Sequence, residues 1–129
     1  MKARFDRCCG SIHCQSWRGK YGVAVVTSGG DASAEVEAYM LRSLAAVGCW
    51  TVGSVGASGA QVFSPTGLAD RVQAAADLGR TLAEAIRQKR AYPEQEPKIQ
   101  AFAGYMRQLC ALQRERWPFE YEYWQKRTA

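Results

Sequence analysis

The sequence has few of the side chains that enzymes most often use for acid–base and nucleophilic chemistry. It contains one histidine, His13, and no GxSxG elbow, no phosphate loop ending in GK[ST] and no HExxH pair. No two carboxylates sit at helical spacing on an obvious ligand face. Hydrolase and phosphotransferase chemistry therefore has no visible machinery, and a reaction would have to be carried by a cofactor. No stretch reaches the roughly 18 apolar residues of a membrane span, and MKARFDRCCG at the start lacks the apolar centre of a signal peptide. Internal repeats and low-complexity runs are also missing. Together these absences predict a cytoplasmic protein without a membrane partner. The five cysteines fit that expectation, since an odd number suits a reducing compartment better than a disulfide framework.

What is present is the composition of one ordinary globular domain: 129 residues, 47% hydrophobic and 22% charged. Seventeen Lys and Arg against twelve Asp and Glu give a net charge of +5, spread along the chain rather than gathered in a tail. The surplus only weakly favours anionic ligands. The chain is organised around Tyr21 to Gly30, YGVAVVTSGG. Val23, Ala24, Val25 and Val26 are apolar without alternation, which predicts a strand covered on both faces, as in a parallel sheet flanked by helices. Thr27, Ser28, Gly29 and Gly30 follow as a tight turn of little bulk, and a helical pattern begins within three residues. Strand, small-residue loop and helix N-terminus in that order form the usual ligand edge of an α/β fold. Thr27 to Gly30 is thus the candidate site.

Asp31 or Ser33 can cap the next helix, whose apolar positions Val36, Met40, Leu44 and Val47 share a face and which Gly48 ends. Trp50 to Val55 reads as a second strand and Gly56 to Ala60 as a second small-residue loop. Strand, helix, strand over this distance is a βαβ unit, which brings both loops to one edge of the sheet, where a single ligand could touch both. Ser64 and Pro65 start a further helix whose stripe Leu68, Val72, Ala75, Leu82 and Ile86 runs to about Arg90, with Gly79 on the stripe as a point of close packing. Pro93 and Pro97 bound a polar linker. Ile99, Phe102, Met106 and Leu109 then mark an amphipathic helix stopped by Pro118.

Two segments invite sharper readings. CCGSIHC, with Cys8, Cys9 and Cys14 beside His13, carries zinc and iron–sulfur ligand types. It lacks the second ligand pair that a metal clip needs, and Cys49 and Cys110 stand alone. The three read as ordinary loop cysteines holding no metal, with a low-pKa redox thiol as the alternative, given Arg7 and Arg18 nearby. The closing WPFEYEYWQKR interleaves aromatics with cations, as a base-stacking platform would. Glu120 and Glu122 break the positive field, so the tail reads instead as a segment docked on its own body or on a neighbouring subunit, with no nucleic-acid partner.

The stretch from Gly19 to Ala57 resembles the second half of the flavodoxin-like NAD(P)H-dependent FMN reductases, including their iron–sulfur flavoprotein branch. KARFDR before it is similar to the KAFIDR helix end after their third strand, and WPFEYEYW is similar to the tail of that branch. The resemblance implies residues 1–129 as a single partial flavodoxin-like domain: a helix end and loop over 1–20, a βαβα core over 21–90 and a linker, helix and tail over 91–129. It implies strands four and five of a doubly wound sheet, FMN as cofactor, NAD(P)H as co-substrate, and Thr27, Ser28, Gly29 and Gly30 as the fourth-strand loop beside the flavin ring. The loops of the first and third strands would lie before Met1. Two function classes follow: a flavin reductase in which Thr27 to Gly30 border the ring and backbone N–H groups polarise it, or a non-catalytic remnant, either a truncated gene product or a half that assembles with another chain. In the flavodoxin-like order the strand at Val23 to Val26 is internal, so its open edge predicts a homo-oligomer or pairing with another chain.

Overall fold

A computed structural model describes residues 7–30 and 33–128 of the chain. Its elements are α1 (Cys9–Cys14), β1 (Tyr21–Ser28), α2 (Ser33–Ala46), β2 (Trp50–Ser58), α3 (Gly59–Val62), α4 (Pro65–Gln88), α5 (Glu96–Leu112) and α6 (Pro118–Thr128). The expected helix end before Cys8 lies, Arg7 apart, outside the described residues, as does Asp31. Among the described residues no helix is long and apolar enough to cross a membrane.

β1 and β2 pair in parallel, from Tyr21 beside Trp50 to Ser28 beside Ser58, with one irregularity between Gly22 and Val23 that leaves Val52 as an extra residue on β2. The chain is therefore α/β, with two parallel strands and flanking helices. Helices cover both faces. A Cβ on Gly22 would lie 3.0 Å from Leu44 of α2, whereas one on Gly53 would lie 3.1 Å from Leu78 of α4. Alternate strand residues point to opposite faces, so α2 takes the face of Gly22, Ala24 and Val26, and α4 that of Val23 and Val25.

The two faces are not equally covered. Ala24 and Val26 are buried, but Val25 is 60% exposed, because α4 sits over β2 more than over β1. The uninterrupted valine run thus does not mark a strand buried on both sides. β2 also runs further than expected: Gly56 and Ala57 are buried ladder residues paired with Val26 and Thr27, not part of a loop.

α2 ends as predicted. Gly48 adopts φ +93 and the Cys49 N–H turns back onto the Leu44 carbonyl at 3.0 Å, a left-handed helix stop that favours glycine. α4 starts as predicted too, with the Ser64 hydroxyl accepting from the Gly67 N–H and Pro65 in the first turn. Its orientation differs from the expectation. The stripe through Leu68, Val72 and Ile86 is 44%, 60% and 51% exposed, while the side carrying Leu78 and the fully buried Ala85, about a quarter turn away, meets the sheet. A Cβ on Gly79 would meet nothing within 4 Å, so Gly79 is not a close-packing point within the chain.

Pro97 lies in the first turn of α5, and Pro118 opens α6 instead of merely stopping the helix before it. The aromatic tail docks on its own body: Trp124 of α6 is 3% exposed among Ala103, Met106 and Cys110 of α5, with Ile12 of α1 against them. Its indole Nε1 donates to the His13 carbonyl at 3.0 Å, joining α6 to α1.

Candidate functional site

Parallel pairing places the ends of β1 and β2 side by side, so the turn after Ser28 and the turn after Ser58 meet at the carboxyl edge of the sheet. They are in contact: a Cβ on Gly59 would lie 2.8 Å from the Gly29 carbonyl oxygen. Each turn is held by its serine. The Ser28 hydroxyl accepts from the Gly30 N–H at 3.2 Å and donates to the Gly30 carbonyl at 2.9 Å. The Ser58 side chain and the Gln61 side chain exchange hydrogen bonds with each other's backbone N–H, a capping box over the short α3.

The four predicted site residues do not form a single turn. Thr27 and Ser28 are the last residues of β1, and only Gly29 and Gly30 lie beyond the ladder. Thr27 shares the Val25 face and is exposed. Neither glycine has a positive φ, so the backbone there does not demand glycine; what it gains is room, since a Cβ at either position would meet no atom within 4 Å. The Gly30 N–H is engaged by Ser28, so polarisation of a ring by that group would first require this bond to open.

Gly29 and Gly30 are exposed, and a Cβ on either would meet nothing within 4 Å, which leaves room for the edge of a planar ring such as isoalloxazine. Among the described residues no phosphate cradle is formed at this edge, where a Cβ at Gly56 would collide with the Glu37 carboxylate. A cleft of about 480 Å³ lies at the other end of the sheet. Leu41, Ala45, Ile99 and Phe102 line it, and Arg42 and Lys98 are the cations on its wall. The pattern reading did not find it, because α2 and α5 are far apart in sequence and each contributes only one wall.

Gln95 is a further residue that pattern reading missed. Its amide oxygen accepts from both the N–H and the hydroxyl of Thr51, and its amide nitrogen donates to the Thr51 carbonyl, all at 2.9 Å. A side-chain amide thus occupies the outer edge of β2 as a neighbouring strand would. Gln95 covers β2 only at Thr51, so among the described residues both outer edges of the two-stranded sheet lack a strand partner, β1 along its whole length.

The cysteine segment forms α1, not a loop. Cys14 is 2% exposed, and burial, with smaller contributions from Glu120 and Cys110, raises its thiol from 9.0 to about 11. Cys14 is therefore not a low-pKa thiol. Burial also raises Cys49 and Cys110. All five cysteines are free of disulfides, and among the described residues no group of three or more His, Cys, Asp or Glu side chains is placed to hold a metal ion.

Compared with family models, curated proteins and solved structures, the chain matches none.

Proposed function

We propose that this chain is a cytoplasmic NAD(P)H-dependent FMN reductase-like oxidoreductase, flavodoxin-like in its strand order, in which Thr27, Ser28, Gly29 and Gly30 border the flavin ring. The observation that carries this reading is the contact of two small-residue turns at the carboxyl edge of a parallel βαβ unit, the place where open α/β sheets bind ligands. Gly29 and Gly30 leave an open approach, and Ser28 fixes the turn that presents them. FMN, when bound, accepts the hydride from NAD(P)H; the chain's own part is to border and orient the ring edge. Five cysteines outside any disulfide suit a reducing cytoplasm.

A second reading, a non-catalytic half that pairs with another polypeptide, is favoured by the absence, among the described residues, of a phosphate cradle beside this turn and by the outer edge of β1, which pairs with no strand. FMN titration followed by fluorescence quenching separates the two. The flavin reading expects saturable binding that Gly30→Val weakens more than tenfold, because the new side chain occupies the ring's approach without touching the fold. Identical curves for the two proteins would remove this loop from the flavin site. No binding to either would favour the assembly reading.

A further inference from the structure

α4 is apolar on two sides. The side with Leu78 and Ala85 packs on the sheet, while Ala69, Val72, Ala76, Gly79, Ala83 and Ile86 are all exposed. A helix with a second apolar face is normally placed between two partners. The exposed six follow one another at intervals of three, four, three, four and three residues, the a and d spacing of a coiled-coil seam. This seam runs most of the length of a 24-residue helix, about 36 Å, and is contiguous, unlike the scattered single apolar residues of an ordinary surface.

From this seam we infer that two copies of the chain dimerise through α4, the two helices lying antiparallel. The interval pattern reads the same in both directions, so a reversed copy lays Ala69 against Ile86, Val72 against Ala83 and Ala76 against Gly79. The smallest residues meet at the centre, which allows a close approach of the two backbones. Charge selects both the occupant and the direction. Beside the seam runs the row Gln73, Arg80, Arg87, and outside it the row Asp70, Asp77, Glu84. Reversal brings Arg87 of one copy to Asp70 of the other, Arg80 to Asp77 and Gln73 to Glu84. Arg80 and Asp77 already pair within the helix, so the centre becomes a four-charge network. A parallel pair would set the arginine row against Leu68, Ala75 and Leu82, where no acid waits. This inference does not depend on flavin binding, and it places the contact between copies on α4 in place of the β1 edge.

Sedimentation velocity up to about 100 µM, where small interfaces associate, tests it on the whole chain. The expected result is a dimer that survives Val25→Lys on β1 and dissociates in Gly79→Glu, with unchanged circular dichroism because Gly79 has open space around it. Arg87→Asp should weaken the dimer about tenfold, and Asp70→Arg added to it should restore the affinity. In a Cys8→Ser, Cys9→Ser background, Ala69→Cys with Ile86→Cys should cross-link on oxidation, while Ala69→Cys alone should not. A monomer at the highest concentration would overturn the inference and leave a helix of another protein as occupant of the seam. So would a dimer lost in Val25→Lys but intact in Gly79→Glu. Cross-linking by Ala69→Cys alone would overturn the antiparallel arrangement.

Discussion

Trp124 is the side chain whose removal should hurt most. It is 3% exposed, packs on Ala103, Met106 and Cys110, donates its Nε1 proton to the His13 carbonyl at 3.0 Å, and has the Arg107 guanidinium 5.6 Å from the ring centre. Replacing it by Ala deletes a large buried volume where three helices meet, which costs about 3–5 kcal/mol when the site cannot collapse. Part of that is the His13 carbonyl left without its donor, about 1 kcal/mol by itself. Trp124→Phe keeps most of the apolar area but loses the hydrogen bond, so roughly 1.5–2.5 kcal/mol is expected. Against a total of roughly 5–15 kcal/mol for a domain, Trp124→Ala removes a fifth or more. Urea titration followed by circular dichroism reads these differences, with Phe119→Ala as the control. Phe119 is on the same helix but 71% exposed, and its loss should stay within about 0.5 kcal/mol. A cost below about 1 kcal/mol for Trp124→Ala would refute the assignment of this cluster as the core.

Two further predictions rest on single groups. Cys14 titrates at about 11 in the folded chain against 9.0 for an ordinary thiol, so the unfolded chain releases its proton first. The stability that this neutral thiol contributes is complete below about pH 9 and falls through pH 11, by at most about 2.7 kcal/mol over the two units; urea midpoints that stay flat from about pH 8 to pH 10.5, or whose slope is unchanged by Cys14→Ala, would contradict this. Gly48→Ala forces a Cβ into a residue at φ +93 and within 2.8 Å of the Arg18 Cγ, so it should cost at least about 1–2 kcal/mol, and an unchanged thermal midpoint would show that the turn relaxes freely.

The elements whose causes are local could be read from the sequence. Val23 to Val26 gives a strand, Gly48 a helix stop, and Ser64 with Pro65 a helix start, because each is decided by the backbone preferences of a few neighbouring residues. Orientation was not legible. The stripe from Leu68 to Ile86 has the periodicity of a core face, but a single-sequence pattern cannot say which of two apolar faces meets the sheet, and Leu78 and Ala85 proved to be that face. Val25 was misread for a related reason: an apolar run shows that a strand can be covered, whereas the position of α4 over β2 determines that Val25 is not. For the candidate site, the neighbourhood of the two turns was legible from the βαβ order. The extension of β2 through Gly56 and Ala57 was not, since small residues signal a turn until a partner such as Val26 or Thr27 claims their backbone. The Gln95 clamp on Thr51 spans too long a sequence separation for any local pattern to show it.

The long-range side-chain ties of the sheet gather at one end of it. Among the described residues, the side-chain hydrogen bonds that join distant parts of the chain avoid the carboxyl edge. Tyr21 donates its hydroxyl to the Arg90 carbonyl at 2.9 Å, Gln95 holds Thr51, and Arg18 meets Glu96 at 3.2 Å, all near the amino ends of the two strands. Tyr92 lies near Tyr21 and Trp50 there, with ring centres 6.4 and 6.0 Å away, and Trp124 anchors α6 to α1 within the helical cluster. At the carboxyl edge, by contrast, the bonds of Ser28 and Ser58 are local and no residue of α2 is fully buried. Burial runs the other way along β2, whose buried residues are Val55, Gly56, Ala57 and Ser58 at its carboxyl end, so that end is supported by packing where the amino end is supported by side-chain bonds. The β1 edge and the outer face of α4 remain surfaces whose burial would add stability to the sheet layer.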